Sequence, residues 1–175
     1  MQELDYFTMS LRKNTLPFLV FALLVLTSCG PYSFSGSSMP NIKSVAVPLF
    51  SDNTSEFGIK EELTNTIIDG FKNDNTLKVN DRRNADSILQ GTILSINTRA
   101  GEVTRQEQVN EIQIHLLVTI KYEDVEKRKV IWEDQISQFG TYRPGASENN
   151  TRNDAITEAI QKITREVLNR SVTGW

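Results

Sequence analysis

Apolar residues along this chain fall into three kinds of pattern: one unbroken run, several alternating stretches and two stripes at helical spacing. The run is Leu16 to Leu26, broken only by Pro17 and preceded by Arg12 and Lys13. It is too short to span a bilayer, which takes about 20 residues. Alternation begins at Ile42 to Phe50, where Val45, Val47 and Leu49 share one side. That predicts a first strand, with Pro48 marking an edge position or the end of its hydrogen bonding. Ser51-Asp52-Asn53-Thr54-Ser55 predicts a turn that offers helix N-caps. Ile59, Leu63, Ile67 and Phe71 then form one stripe of a helix, with Glu61 and Glu62 near its positive end and Asn73-Asp74-Asn75 closing it.

Leu77-Lys78-Val79 reads as a short strand. From Asp86 to about Val103 the pattern is extended, and Ile88, Leu89, Ile93, Leu94 and Ile96 crowd its first half, as if both faces were covered. Val109 to Tyr122 alternates most cleanly. Ile112, Ile114, Leu116, Val118, Ile120 and Tyr122 point one way; Glu111, Gln113, His115, Leu117, Thr119 and Lys121 point the other. Residues 123–129 form a charged hairpin loop, and a further strand carries Val130, Trp132 and Ile136 to about Tyr142. Arg143-Pro144-Gly145 breaks the pattern. Thr151 and Asp154 make a variant capping box before a second stripe of Ile156, Ala159, Ile160, Ile163 and Val167. Two one-sided helices and a one-sided sheet satisfy each other by stacking. The expected fold is an α+β two-layer sandwich, with both helices on one face of a mainly antiparallel sheet of four or five strands.

The start of the chain has the layout of a secretory leader: a basic region, an apolar region of roughly 7–15 residues and small residues at a cleavage point. Leu26-Thr27-Ser28-Cys29-Gly30 resembles the lipobox of bacterial lipoproteins. That resemblance implies cleavage between Ser28 and Cys29 and acylation of the Cys29 thiol. Several acyl chains make a strong anchor, at about 0.8 kcal/mol per buried CH₂. Residues 1–28 are thus expected to be a signal peptide, with translation starting at Met1 or Met9. Residues 29–41, rich in Gly, Pro and Ser, are expected to be a lipidated flexible tether, and residues 42–175 a single domain. No acidic run follows Cys29, which favours the periplasmic face of the outer membrane over the cell surface.

The chain beyond residue 28 carries 17 basic and 20 acidic residues, a balance with no electrostatic footprint for nucleic acid. One histidine, His115, and one cysteine leave almost no stock for a metal site. No Gly-rich phosphate loop, nucleophile elbow or zinc-protease motif is present, so neither a cofactor nor an enzymatic activity is expected. Two surface features remain. The cations Arg99, Arg105, Lys127, Arg128, Lys129 and Arg143 lie near strand ends and, clustered in space, would pair with lipid phosphates. Gln90, Thr92, Thr98, Gln113, Thr119, Gln135, Ser137 and Gln138 give the strands a polar face suited to a wet barrel lumen.

Ser28-Cys29-Gly30-Pro31-Tyr32-Ser33-Phe34-Ser35-Gly36, Ser44-Val45-Ala46-Val47-Pro48-Leu49-Phe50 ahead of a helix that contains Glu62-Leu63-Thr64, and Ala85-Asp86-Ser87-Ile88-Leu89-Gln90-Gly91-Thr92-Ile93 together resemble the lipopolysaccharide-assembly lipoprotein family LptE, in its Bacteroidetes-type form. The resemblance implies a sheet with two helices packed on it. It also implies a place inside the outer-membrane barrel LptD as a plug, and direct binding of lipopolysaccharide. Val45 to Thr54 is similar, too, to curli-secretion-type and penicillin-binding-protein-activator lipoproteins. That alternative implies a periplasmic regulator or secretion-pore subunit and a more evenly alternating α/β sheet.

Overall fold

Proline and helix connections decide how the first half of this chain enters its sheet. The computed structural model describes residues 41–101, 111–145 and 150–172. Within them the elements run β1 (Ser44–Ala46), β2 (Ser51–Asp52), α1 (Ile59–Asp74), β3 (Lys78–Val79), β4 (Ser87–Ala100), β5 (Ile112–Asp124), β6 (Lys129–Tyr142) and α2 (Arg152–Val172). Of the expected strand 42–50 only Ser44–Ala46 is strand, and a second short piece follows at Ser51–Asp52. Both pair in parallel with β4, Val45 opposite Ser87 and Ser51 opposite Thr92. Between Ala46 and Ser51 the chain uses one residue more than its partner does from Ile88 to Thr92. Pro48, which has no N–H to give a ladder, sits in that interval. Ser51 and Asp52, expected in a turn, are the second piece. The turn begins at Asn53, where the Asp52 carboxylate accepts the Thr54 N–H at 2.7 Å.

Helix α1 buries Ile59, Leu63, Ile67 and Phe71, the expected stripe. Its N-cap is Gly58, at φ +80, rather than any of the Ser, Thr or Asp residues upstream. Asn75 closes it in the left-handed conformation, donating its N–H to Phe71 O at 3.2 Å. A helical connection brings the chain back to the end of the sheet from which it left, so β3 lies parallel to β1. The chain then passes β1 to form β4 on its other side. The result is a six-stranded mixed sheet of order β3-β1-β4-β5-β6, with β2 also on β4. The expectation of a mainly antiparallel sheet of four or five strands holds for β4, β5 and β6 and fails for the three short strands. Short pieces flanking a helix are parallel for the reason just given.

In β5 every even position from Ile114 to Tyr122 is fully buried, and these residues share one core with both helix stripes, Leu89, Ile93, Trp132 and Ile136. The crowded start of β4 has a specific cause. Leu89, Gly91 and Ile93 face the core opposite Tyr122, Ile120 and Val118. Leu94 is then skipped in a β-bulge, and the even residues Ile96, Thr98 and Ala100 take over the core side opposite Leu116, Ile114 and Ile112. Ile88 joins Ala46 and Ala85 in a small separate cluster.

Helix α2 starts with the expected capping box. The Asp154 carboxylate accepts the Thr151 N–H at 2.7 Å, and the Asp154 N–H returns to Thr151 Oγ1 at 3.3 Å. The helix lies against β6. Its side chains also tend the outer edge of that strand. Glu158 accepts the Thr141 N–H at 2.9 Å, Lys162 donates to Phe139 O at 2.7 Å, and the two side chains pair at 2.7 Å. Edge groups satisfied in this way are closed to pairing with another strand. At the start of α2, Arg152 grips Glu56 through two bonds of 2.7 Å, so the loop before α1 is held to the second helix.

Candidate functional site

The sheet has one face under the helices and one face open. Register assigns the open face row by row. Gln90, Lys121 and Glu133 make one row; Thr92, Thr119 and Gln135 the next; then Ser95, Leu117 and Ser137; then Asn97, His115 and Phe139; then Arg99, Gln113 and Thr141. Six of the eight polar residues expected on this face are there. Thr98 and Gln138 are not. Thr98 follows the Leu94 bulge and so changes sides; Gln138 shares its parity with Trp132 and Ile136 and donates its amide to Glu166 of α2 at 2.9 Å.

The open face is not uniformly wet. His115 stacks on Phe139 with ring centroids 5.1 Å apart, and its Nε2 meets the Gln113 amide oxygen at 3.1 Å. Burial, and secondarily the charge of Arg99, hold the His115 pKa below its ordinary value, so the ring is neutral near pH 7. Its neighbours are an amide and an aromatic ring, neither a nucleophile nor a metal ligand. Among the described residues no three of His, Cys, Asp and Glu converge as a metal site would require.

Nearer the other end, the interruption around Pro48 opens a cleft of about 410 Å³ onto this face. Pro48 and Leu49 form one wall, and Arg82, Gln90, Lys121 and Glu133 line the rest. Lys121 is drawn to Glu123 at 2.5 Å, and that bond raises its pKa. Arg82 makes no ion pair with any described residue. This cleft was not legible in the sequence, because it joins residues from β4, β5, β6 and two connections that no local pattern relates.

The expected cation cluster is divided. Lys127 and Arg128 occupy the β5–β6 turn and Lys129 begins β6. Arg99 lies at the end of β4 and Arg143 just past β6, both at the opposite end of the sheet. A strand of this length spans about 40 Å at roughly 3.4 Å per residue, so the two groups form no single patch. The expectation treated closeness to strand ends as closeness in space, whereas antiparallel strands put alternate connections at opposite ends. Arg105, and the expected processing site at Ser28 and Cys29, lie outside the described residues. Among the described residues no helix is long and apolar enough to cross a membrane.

Solved structures with this fold include hypothetical protein CT253 from Chlamydia trachomatis. It is 12% identical with TM-score 0.56, over 74% of this chain and 95% of that one. A single-substitution form of the PelC dodecamer from Paraburkholderia phytofirmans is 13% identical with TM-score 0.53, over 76% and 88% of the two chains. Protein XCC0632 from Xanthomonas campestris is 12% identical with TM-score 0.50, again over 76% and 88%. At these identities the likeness is one of fold. No curated protein matches the sequence significantly. The model of the lipopolysaccharide-assembly family LptE matches residues 42–171, from the buried Ile42 to the last turn of α2, and the chain belongs to that family.

Proposed function

We propose that this protein is an outer-membrane lipoprotein, acylated on Cys29 and exposed to the periplasm, that supports lipopolysaccharide export by seating in the barrel of LptD. It acts by presenting surfaces and not by catalysis. The match of the LptE family over residues 42–171 is the observation that carries this reading. The geometry is compatible with it: one sheet face is covered by helices, and the other is open and largely polar, as the lumen of an outer-membrane barrel is polar. The family match over residues 42–171 is also what favours this reading over the regulator or secretion-pore alternative; the fold does not separate them, since the PelC dodecamer shares it.

The test is affinity isolation of the tagged full-length protein from outer membranes. A large outer-membrane barrel should copurify in stoichiometric amount; a cell-wall synthase or a self-assembled ring in its place would reject the reading. Cys29→Ala should leave unprocessed precursor with no acyl label. Lipopolysaccharide contact is assigned to the cations Arg99, Arg105, Lys127, Arg128, Lys129 and Arg143, whose charge suits its phosphates.

A further inference from the structure

From the β5–β6 hairpin we infer that it is a membrane-contact element, which turns this end of the domain toward an anionic lipid surface. The inference rests on the proposed acylation of Cys29. Three observations lead to it. First, the chain coming from Cys29 enters the domain at Ile42, and Ser44 begins β1 at the end of the sheet where Ser87, Asp124 and Lys129 lie side by side. Only 12 residues separate Cys29 from Ile42, a reach of at most about 40 Å when fully extended. An anchored domain therefore keeps this end nearest the bilayer more often than the other, which lies roughly another 40 Å away.

Second, the hairpin has the composition of a surface that meets lipid. Lys127, Arg128 and Lys129 are all exposed; Lys43, just before β1, and Lys78, the first residue of β3, are exposed at the same end of the sheet, beyond β4. The nearby carboxylates are partly used internally. Asp124 is buried, accepts the Lys127 N–H at 2.8 Å and pairs with its ammonium at 3.6 Å; Asp86 accepts the Lys43 N–H and the Ser44 hydroxyl. Glu126, Asp74 and Asp81 remain exposed. Third, Val125 and Val130 flank the cations at 39% and 40% exposure. Apolar side chains beside lysine and arginine suit the boundary between headgroups and acyl chains, where anionic lipid attracts each cation. Arg128 also holds a left-handed conformation, φ +50, a place that glycine or asparagine usually fills.

The phosphates inferred here are those of anionic phosphoglycerides; lipopolysaccharide carries the same chemistry, and the experiment separates the two sources. The mature acylated protein is placed in vesicles without its barrel partner, with a fluorophore on Val125→Cys or, as the distal control, on Phe57→Cys, whose side chain is fully exposed. Quenching by a headgroup nitroxide is read on phosphatidylcholine alone, with phosphatidylglycerol and with lipopolysaccharide. The expected result is severalfold stronger quenching at position 125 than at 57 with phosphatidylglycerol present, lost in 1 M salt. Lys127→Ser, Arg128→Gly and Lys129→Ser together should bring it down to the phosphatidylcholine level; glycine suits the backbone at 128, so the turn survives. Equal quenching at the two positions, or contact that needs lipopolysaccharide, would overturn the inference. Failure of the acylation reading appears separately, as a missing acyl mass on the fragment containing Cys29.

Discussion

A β-carbon placed on residue 140 would lie 1.9 Å from the carbonyl oxygen of Ala155, and the obstacle is helix backbone that no rotamer change can move. Gly140 is what lets α2 begin so close to β6. Gly91 is also crowded, with a β-carbon 2.2 Å from Phe50, but there the obstacle is a side-chain ring. Gly140→Ala is therefore expected to cost about 3 kcal/mol or more and Gly91→Ala less, as denaturant melts of the two variants would measure. Asp86 makes a second prediction at this scale. Hydrogen bonds from the Lys43 N–H and the Ser44 hydroxyl hold its carboxyl below the ordinary carboxylate range. A pKa depressed by folding adds stability above the unfolded value, near 4, and that stability is lost as pH falls through the folded value. Asp86→Asn should then cost about 1 kcal/mol at pH 7 and give a flatter stability curve below about pH 4, read from melts across that range.

At the scale of elements, what the alternation of residues conveyed depended on whether one period ran unbroken. Both helices and β5 were legible because their stripes continue from end to end: Ile59 to Phe71, Ile156 to Val167 and Ile114 to Tyr122 are buried as their spacing implies, with Ile112 partly buried. β4 was legible in part: Ile88 and Leu89 are both buried, in two separate clusters, so its start is covered on both faces as expected, but the change from odd core-facing residues before Leu94 to even ones after it reflects a bulge that the pattern did not show. β1 and β2 misled for a related reason, since Pro48 divides one stretch into two short pieces whose parallel pairing has no local signature. Deleting Leu94 tests this reading. Removal of the one skipped residue leaves Ser95 opposite Leu117 and Ile96 opposite Leu116, so both keep their faces in a regular strand. The expected outcome is a protein that keeps its fold, at a cost of no more than about 1–3 kcal/mol, with the β4 amides beyond residue 93 still protected in hydrogen exchange. Loss of protection there would show that Leu94 itself holds the register and is not a skipped residue.

For the molecule as a whole, the candidate cations could be read from the sequence as residues but not as a site. Charge near a strand end says nothing of which end, and only the antiparallel order of β4, β5 and β6 places Lys127, Arg128 and Lys129 far from Arg99 and Arg143. The separation of about 40 Å is several Debye lengths at physiological salt, near 8 Å. The two groups thus act on a phosphate-bearing ligand as independent contacts. Reversing the hairpin triad to Glu and reversing Arg99 and Arg143 to Glu should each weaken lipopolysaccharide binding in a salt-sensitive way. The combined variant should show the sum of the two free-energy losses within about 0.5 kcal/mol, the scatter found for distant sites. Binding titrations of the four proteins at two salt concentrations form the complete cycle. A coupling above about 1 kcal/mol would mean that a single ligand bridges both ends or that the domain changes shape on binding. Either finding would end the independence of the two groups, which the sheet topology keeps at opposite ends.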